Sequence, residues 1–158
     1  MLKQDLKVGD EVALKPGKNR LEYRGQYLPV TDMVFFACGT GIVPVMDQVR
    51  MVLPSSASSS VESVTVVWVN ESTRDFDVIA EQLEKEYNKH SSKLAVSCIV
   101  DDLTKGQGTL SENSEIYEAV PDFIPGTMAV LSGPVPIMKQ AVEYLEGRGY
   151  PLDCLCIL

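Results

Sequence analysis

The sequence predicts an α/β domain built on a doubly wound, five-stranded parallel sheet, with a short β-hairpin ahead of it. Three observations predict this. From Met33 onward, short apolar or β-branched runs alternate with amphipathic helical patterns, the grammar of βαβ units. The runs Met33–Cys38 and Val64–Val69 are apolar at nearly every position, as expected of parallel strands covered on both faces. Glycine turns stand where a run ends and a helix begins, at Gly39-Thr40-Gly41 and again at Gly133-Pro134.

The elements follow in order. Residues 1–30 read as hairpin grammar with period two: a turn and then an alternating strand within Leu6–Leu14, a turn at Lys15–Asn19, then alternation again over Arg20–Arg24. Two or three such strands need a larger body to pack on. The first sheet strand is 33–38, followed by a helix over Val43–Leu53 with Val45, Met46, Val49 and Val52 at helical spacing. Pro54–Ser60 is a polar surface connection. Val64–Val69 is the second strand. Asp75–Lys89 is an amphipathic helix with Phe76, Ile79, Leu83 and Tyr87 on one stripe. Leu94–Val100 is the third strand, Asp101–Thr109 a polar loop, and Glu112–Ala119 a short helix. Met128–Leu131, the helix Val135–Glu146 and the strand Leu152–Leu158 complete the pattern.

Composition narrows the function classes. The chain has 158 residues and a formal net charge of −8, which disfavours nucleic acid as an electrostatic partner. No apolar run reaches the roughly 20 residues that span a bilayer. Met1–Asp10 lacks the apolar core of a signal peptide, so a soluble, cytoplasmic setting is expected, with membrane association left open through an upstream segment of a longer chain. The four cysteines, Cys38, Cys98, Cys154 and Cys156, sit in strand-like contexts and are expected to be buried thiols. His90, the only histidine, falls at a polar helix end, expected to be exposed, and no metal set is apparent.

In a doubly wound sheet, ligands bind beyond the carboxyl ends of the strands. Three such ends carry chemistry here. After the first strand comes Gly39-Thr40-Gly41-Ile42-Val43-Pro44, where glycines and a helix start can bring backbone amides to a phosphate. After the second comes Asn70-Glu71-Ser72-Thr73-Arg74-Asp75, whose acid suits a free ribose 2′-hydroxyl and repels a 2′-phosphate. After the fourth comes Ser132-Gly133-Pro134-Val135-Pro136-Ile137-Met138. Each alone is equally readable as structure. Gly39-x-Gly41 lacks the third glycine of the dinucleotide fingerprint, Pro44 and Pro136 are ordinary helix-start residues, and Asp75 is an ordinary first-turn carboxylate. Their combination on one edge points to a nucleotide.

Gly39–Pro44, Asn70 with Asp75, Gly106-Gln107-Gly108, Gly133-Pro134-Val135-Pro136 and the closing Cys154–Leu158 together resemble the ferredoxin–NADP reductase family, and within it the cytochrome b5 reductase subgroup and the matching part of nitrate reductase. The likeness covers essentially the whole chain. It implies a Rossmann-like NAD-binding domain over residues 31–158, with residues 1–30 a remnant of the flavin-binding β-barrel. It implies hydride delivery from NADH to FAD, then electron transfer to a haem or other redox protein. On that resemblance Gly39, Thr40, Gly41 and Ile42 with Pro44 form the NAD(H) loop. Asn70 and Asp75 face the adenine ribose, and Gly133, Pro134, Pro136 and Met138 shape the nicotinamide side. Ser132 stands where the family has a cysteine near the nicotinamide. Cys38 is not a replacement by register. The family's Arg-x-Tyr-Ser/Thr flavin stretch has no counterpart, so FAD is expected in a longer protein and not to be held by this chain alone. Two other readings use the same fold: a nucleotide- or protein-binding module without turnover, and a flavodoxin-like FMN domain. The latter is disfavoured because the first loop is not Ser/Thr-rich.

Overall fold

The computed structural model describes residues 29–54, 60–101, 110 and 113–158, together with the backbone of 22–23 and 26–27. Strands β1 (Glu22–Tyr23) and β2 (Gln26–Tyr27) form a small antiparallel hairpin. The expected strand Leu6–Leu14, the Lys15–Asn19 turn, the Pro54–Ser60 connection in its central part and Gly106-Gln107-Gly108 lie outside the described residues.

The body is a five-stranded sheet in the order β5-β4-β3-β6-β7, and every neighbouring pair is parallel. Its strands are β3 (Asp32–Cys38), β4 (Ser63–Asn70), β5 (Leu94–Val100), β6 (Thr127–Ser132) and β7 (Leu155–Ile157). The helices are α1 (Ile42–Val52), α2 (Ala80–His90), α3 (Ser114–Ala119) and α4 (Val135–Gly147). The chain moves outward from β3 through β4 to β5, then returns to β6 on the other side of β3. Winding reverses between β3 and β6, so a crevice opens beyond their carboxyl ends.

Strand alternation sends side chains to two cores. Met33, Phe35, Ala37, Val66 and Trp68 meet Ile42, Val45 and Val49 of α1 and Leu83 of α2. Val34, Phe36, Cys38, Val67 and Leu131 meet Ile116 of α3 and Met138, Ala141 and Leu145 of α4. Helices thus cover both faces, which explains why β3 and β4 are apolar throughout.

Several elements differ from expectation. The helix after β4 starts at Ala80, because Thr73–Val78 forms a 3-10 turn. Ser72 Oγ accepts the Arg74 N–H at 3.3 Å, so a local side-chain bond competes with the first helical turn. Phe76 stays in place by an edge-to-face contact with Trp68, ring centroids 4.9 Å apart. Helix α3 starts at Ser114, two residues late, where Asn113 Oδ1 accepts the N–H groups of Glu115 and Ile116 at 2.9 and 3.1 Å. The last strand shortens to Leu155–Ile157 because Pro151 and a 3-10 turn at Leu152–Cys154 precede it. Cys38 and Cys154 are buried as expected, but Cys98 is exposed and Cys156 half-buried. Those two sit on the edge strands β5 and β7, where cover is incomplete. His90 is half-buried at the end of α2, not exposed.

Candidate functional site

The carboxyl ends of β3, β4 and β6 meet in one cleft of about 260 Å3. Cys38, Gly39, Thr40 and Ile42 line it from β3 and the turn into α1. Trp68, Asn70, Glu71, Asp75 and Val78 line it from β4 and the segment after it. Pro134 and Ile137 close it from the start of α4. At that volume the cleft is smaller than the roughly 300–1,000 Å3 of enclosed ligand sites, so a dinucleotide would lie across it and extend beyond.

Three glycines make this geometry possible. Gly39 has φ +56°, a left-handed conformation that side chains resist. Its carbonyl accepts the Trp68 indole N–H at 3.0 Å, which ties the turn to the neighbouring strand. Gly41 is different: its backbone is ordinary, but a Cβ there would overlap the Ser132 carbonyl and come within 2.8 Å of the Gly133 nitrogen. The turns after β3 and β6 therefore touch backbone to backbone. Gly133 completes the joint, since a Cβ on it would lie 2.9 Å from Cys38 Cβ.

Six of the residues singled out in the sequence come together as cleft lining: Gly39, Thr40, Ile42, Asn70, Asp75 and Pro134. The other six do not line it. Gly41 and Gly133 stand behind it as the close-packed joint. Pro44 and Pro136 are exposed in the first turns of α1 and α4. Met138 is a core residue, 2% exposed. Ser132 is 4% exposed and pairs with Ala37 inside the sheet. Sequence reasoning missed Cys38, Trp68, Glu71, Val78 and Ile137. Trp68 had a usable signal, since it lies two residues before Asn70 and so on the same side of β4.

The polar character of the cleft is uneven. Glu71 and Asp75 are exposed carboxylates at its β4 end, with the exposed Arg74 beside them. Cys38, Ile42, Pro134 and Ile137 make its β3–β6 end apolar. Asn70 is 2% exposed, and its side-chain Nδ2 has no hydrogen-bond partner among the described residues. Buried amides are nearly always paired, so this donor at the cleft wall stands out among the cleft's polar groups. Burial, with the Asp101 carboxylate adding to it, pushes the Cys38 thiol up to about 12. Asp101 is itself held at this edge: its N–H donates to the Asn70 carbonyl at 2.9 Å and its Oδ2 accepts from Asn113 Nδ2 at 3.1 Å.

A second hollow of about 340 Å3 lies behind Trp68, between α2 and β5, lined by Phe76, Leu83, Tyr87, Val96 and Cys98 among others. It has no comparable orphan donor or glycine turn. Among the described residues no group of three or more His, Cys, Asp or Glu side chains could hold a metal ion. No helix among them is long and apolar enough to cross a membrane.

No protein-family model matches the chain. In sequence it is 28% identical over 159 residues to inducible nitrate reductase [NADH] 1 of Glycine max, a match that takes in 92% of this chain and 17% of the relative. It is also 28% identical over 161 residues to nitrate reductase [NADH] 1 of Phaseolus vulgaris, with 94% and 18% covered. The chain thus spans less than a fifth of the length of these curated relatives. In structure it resembles the cytochrome b5 reductase domain of Ulva prolifera nitrate reductase, with a TM-score of 0.68 at 22% identity over 85% of this chain and 52% of that one. This is the fold of the ferredoxin-reductase type of NAD-binding domain. The same fold relates the chain to the human Ncb5or structure in its NAD+ form, with a TM-score of 0.62 at 21% identity over 82% of this chain and 37% of that one. In a ferredoxin-reductase-type domain the cleft described above falls at the reversal of strand order, where ligands of such sheets bind.

Proposed function

We propose that this chain binds NAD(H) in the cleft as the nucleotide-binding part of a flavin-dependent oxidoreductase, in which NADH delivers hydride to FAD for onward electron transfer, as in cytochrome b5 reductase. Asn70 Nδ2, buried beside the Gly39–Gly41 turn and without a partner among the described residues, carries the reading. The named NADH reductases among its sequence relatives support it. On this reading residues 1–30 are a remnant of the FAD-binding β-barrel, and a haem or other redox protein is the acceptor.

The residues fit the nucleotide in parts. Gly39 and Thr40 present backbone and a hydroxyl without a bulky side chain. Asn70 Nδ2 donates to an oxygen of the ligand. Asp75 and Glu71 face ribose hydroxyls and repel a 2′-phosphate, which favours NADH over NADPH. The apolar end accepts a flat, uncharged ring and keeps water from it. FAD, when bound, supplies the two-electron acceptor that releases electrons singly. Hydride transfer requires no general acid or base from the protein, and the chain's part is placement and electrostatics.

The test uses the chain's single tryptophan, Trp68, which lines the cleft. Titration with NADH is expected to quench Trp68 emission by energy transfer and to saturate, with NADPH weaker by about tenfold or more. Absence of a saturable NADH response sinks the proposal. Ferricyanide reduction by the flavin-loaded longer protein separates the enzyme from a binding module of the same fold, which would bind NADH and reduce nothing.

A further inference from the structure

The two edges of the sheet are finished differently. At one edge β7 is blunted by its length, only Leu155–Ile157. At the other, β5 runs over Leu94–Val100 with no proline and no charged residue inside it. Among the described residues β4 is its only strand neighbour. The charged residues that flank β5 are already taken. Lys93 Nζ donates to the Val52 and Leu53 carbonyls at 2.9 and 3.3 Å, and Asp101 Oδ2 accepts from Asn113 Nδ2 at 3.1 Å. The usual guards of a sheet edge, a very short strand, a proline or an outward lysine, are thus missing from β5 itself. We propose that β5 is a docking edge for an extended segment of a partner protein in which apolar and basic side chains alternate. The proposal is independent of the nucleotide cleft.

Register fixes which backbone groups face outward. The Val64 N–H donates to the Lys93 carbonyl at 2.9 Å, and the Asp101 N–H donates to the Asn70 carbonyl at 2.9 Å. A parallel ladder uses the N–H and C=O of every second residue, so between those two bonds Ala95, Ser97 and Ile99 face β4. The N–H and C=O groups of Leu94, Val96, Cys98 and Val100 point to the free edge. They form a row of donors and acceptors that a further strand would meet about 4.8 Å away.

Two hollows flank this edge, one on each face of the sheet, and Cys98 lines both. The hollow of about 340 Å3 on the α2 side is walled by Trp68, Phe76, Leu83 and Tyr87. The hollow on the α3 side, about 380 Å3, is lined by Ser97 and by the exposed carboxylates Glu115 and Glu118. Successive side chains of an added strand go to opposite faces. One set would enter the apolar hollow, and the set between them would meet the carboxylates. That arrangement selects an apolar–basic alternation, with main-chain bonds holding the segment and the hollows reading its side chains. The chain's net charge of −8 attracts a basic segment from a distance. A second copy of this chain is a poorer occupant. Its β5 would bring Ala95 and Ser97, not cations, to Glu115 and Glu118, and would set two chains of like charge side by side.

The probe is a fluorescein-labelled octapeptide of alternating valine and lysine, followed by anisotropy. It is titrated against the wild-type chain, Cys98→Pro, which removes one outward N–H, and the double variant Glu115→Lys/Glu118→Lys. A second peptide of the same sequence, N-methylated at alternate residues, keeps the charge but cannot complete the ladder. Circular dichroism checks that each variant folds. The expected result is saturable binding to the wild-type chain. Affinity falls by about tenfold or more for the N-methylated peptide and for Cys98→Pro, and by about fivefold or more in the double variant. Amide exchange at Val96 and Cys98 slows by about tenfold when the unmodified peptide is bound. If Cys98→Pro does not fold, the N-methylated peptide and the exchange rates decide. Absence of saturable binding overturns the proposal. So does equal affinity for the N-methylated peptide, which would reduce the effect to charge, or full affinity in the double variant. Wild-type dimers that exclude the peptide and protect the same amides would give the edge to a second copy and overturn it as well.

Discussion

At the scale of single residues, Asn70 and Cys38 hold opposite kinds of information. Asn70 carries a donor that meets no acceptor among the described residues, and an unused buried donor costs about 1–3 kcal/mol. Asn70→Leu is therefore expected to weaken NADH binding by about tenfold or more while shifting the unfolding free energy of the free protein by less than ~1 kcal/mol. Thermal unfolding with and without NADH separates the two effects, because ligand stabilisation disappears while the free midpoint holds. Cys38 and Tyr150 instead speak through pH. Burial raises the thiol from its ordinary 9.0 to about 12. Burial, against an opposing pull from Arg148, raises the phenol from 10.0 to about 12, and Tyr150 donates to the Pro121 carbonyl at 2.8 Å. In the unfolded chain both groups lose their protons earlier, so above about pH 9 the unfolded state binds fewer protons than the folded one. The stability they confer is complete below pH 9 and drains away as pH climbs toward 12. Chemical unfolding at stepped alkaline pH should show this slope, and Cys38→Ala and Tyr150→Phe should each flatten it.

At the scale of elements, one side chain ties several segments together at the end of the sheet away from the cleft. Arg148, just past α4, donates to the carbonyls of Tyr117 at 2.8 Å and Val120 at 3.0 Å and to Asp122 Oδ1 at 2.6 Å. Its guanidinium also lies 4.1 Å from the Tyr117 ring centroid. It thereby fastens the end of α3 and the approach to β6 onto α4. A lysine keeps the charge but cannot fork, so Arg148→Lys should cost about 2 kcal/mol in denaturant unfolding and leave nucleotide affinity unchanged, since α4 ends at the edge opposite the cleft. The elements themselves were largely legible. Met33–Cys38 and Val64–Val69 declare buried strands, and the stripes of α1 and α4 declare covered ones. What was not legible depended on competition or on pairing. The Ser72 side chain diverts the first turn expected at Asp75 into a 3-10 turn, a contest of small energies that periodicity does not reveal. The exposure of Cys98 follows from β5 being an edge strand, and strand order is absent from local sequence. The identity of the cleft residues turned on strand order, as the ends of β3, β4 and β6 become neighbours only in the folded sheet.

At the scale of the whole molecule, charge and rigidity decide how a nucleotide arrives. The chain carries a net −8, and the cleft's exposed end bears Glu71 and Asp75. A dinucleotide is itself an anion, so long-range repulsion slows encounter until salt screens it, over about 10 Å at 0.1 M. Stopped-flow association of NADH should therefore speed up as ionic strength rises from low to physiological values, and a falling rate would show that a local cationic patch dominates. The backbone contact between Gly41 and the Ser132–Gly133 peptide gives this a further meaning. Two turns that abut without side chains have no slack between them, so among the described residues no jaw shuts over an arriving molecule. Discrimination must happen on approach and in the hold, through rim charge and dwell time. Selectivity among nucleotides should then be written in release rates, with no slow closing phase to proofread the choice.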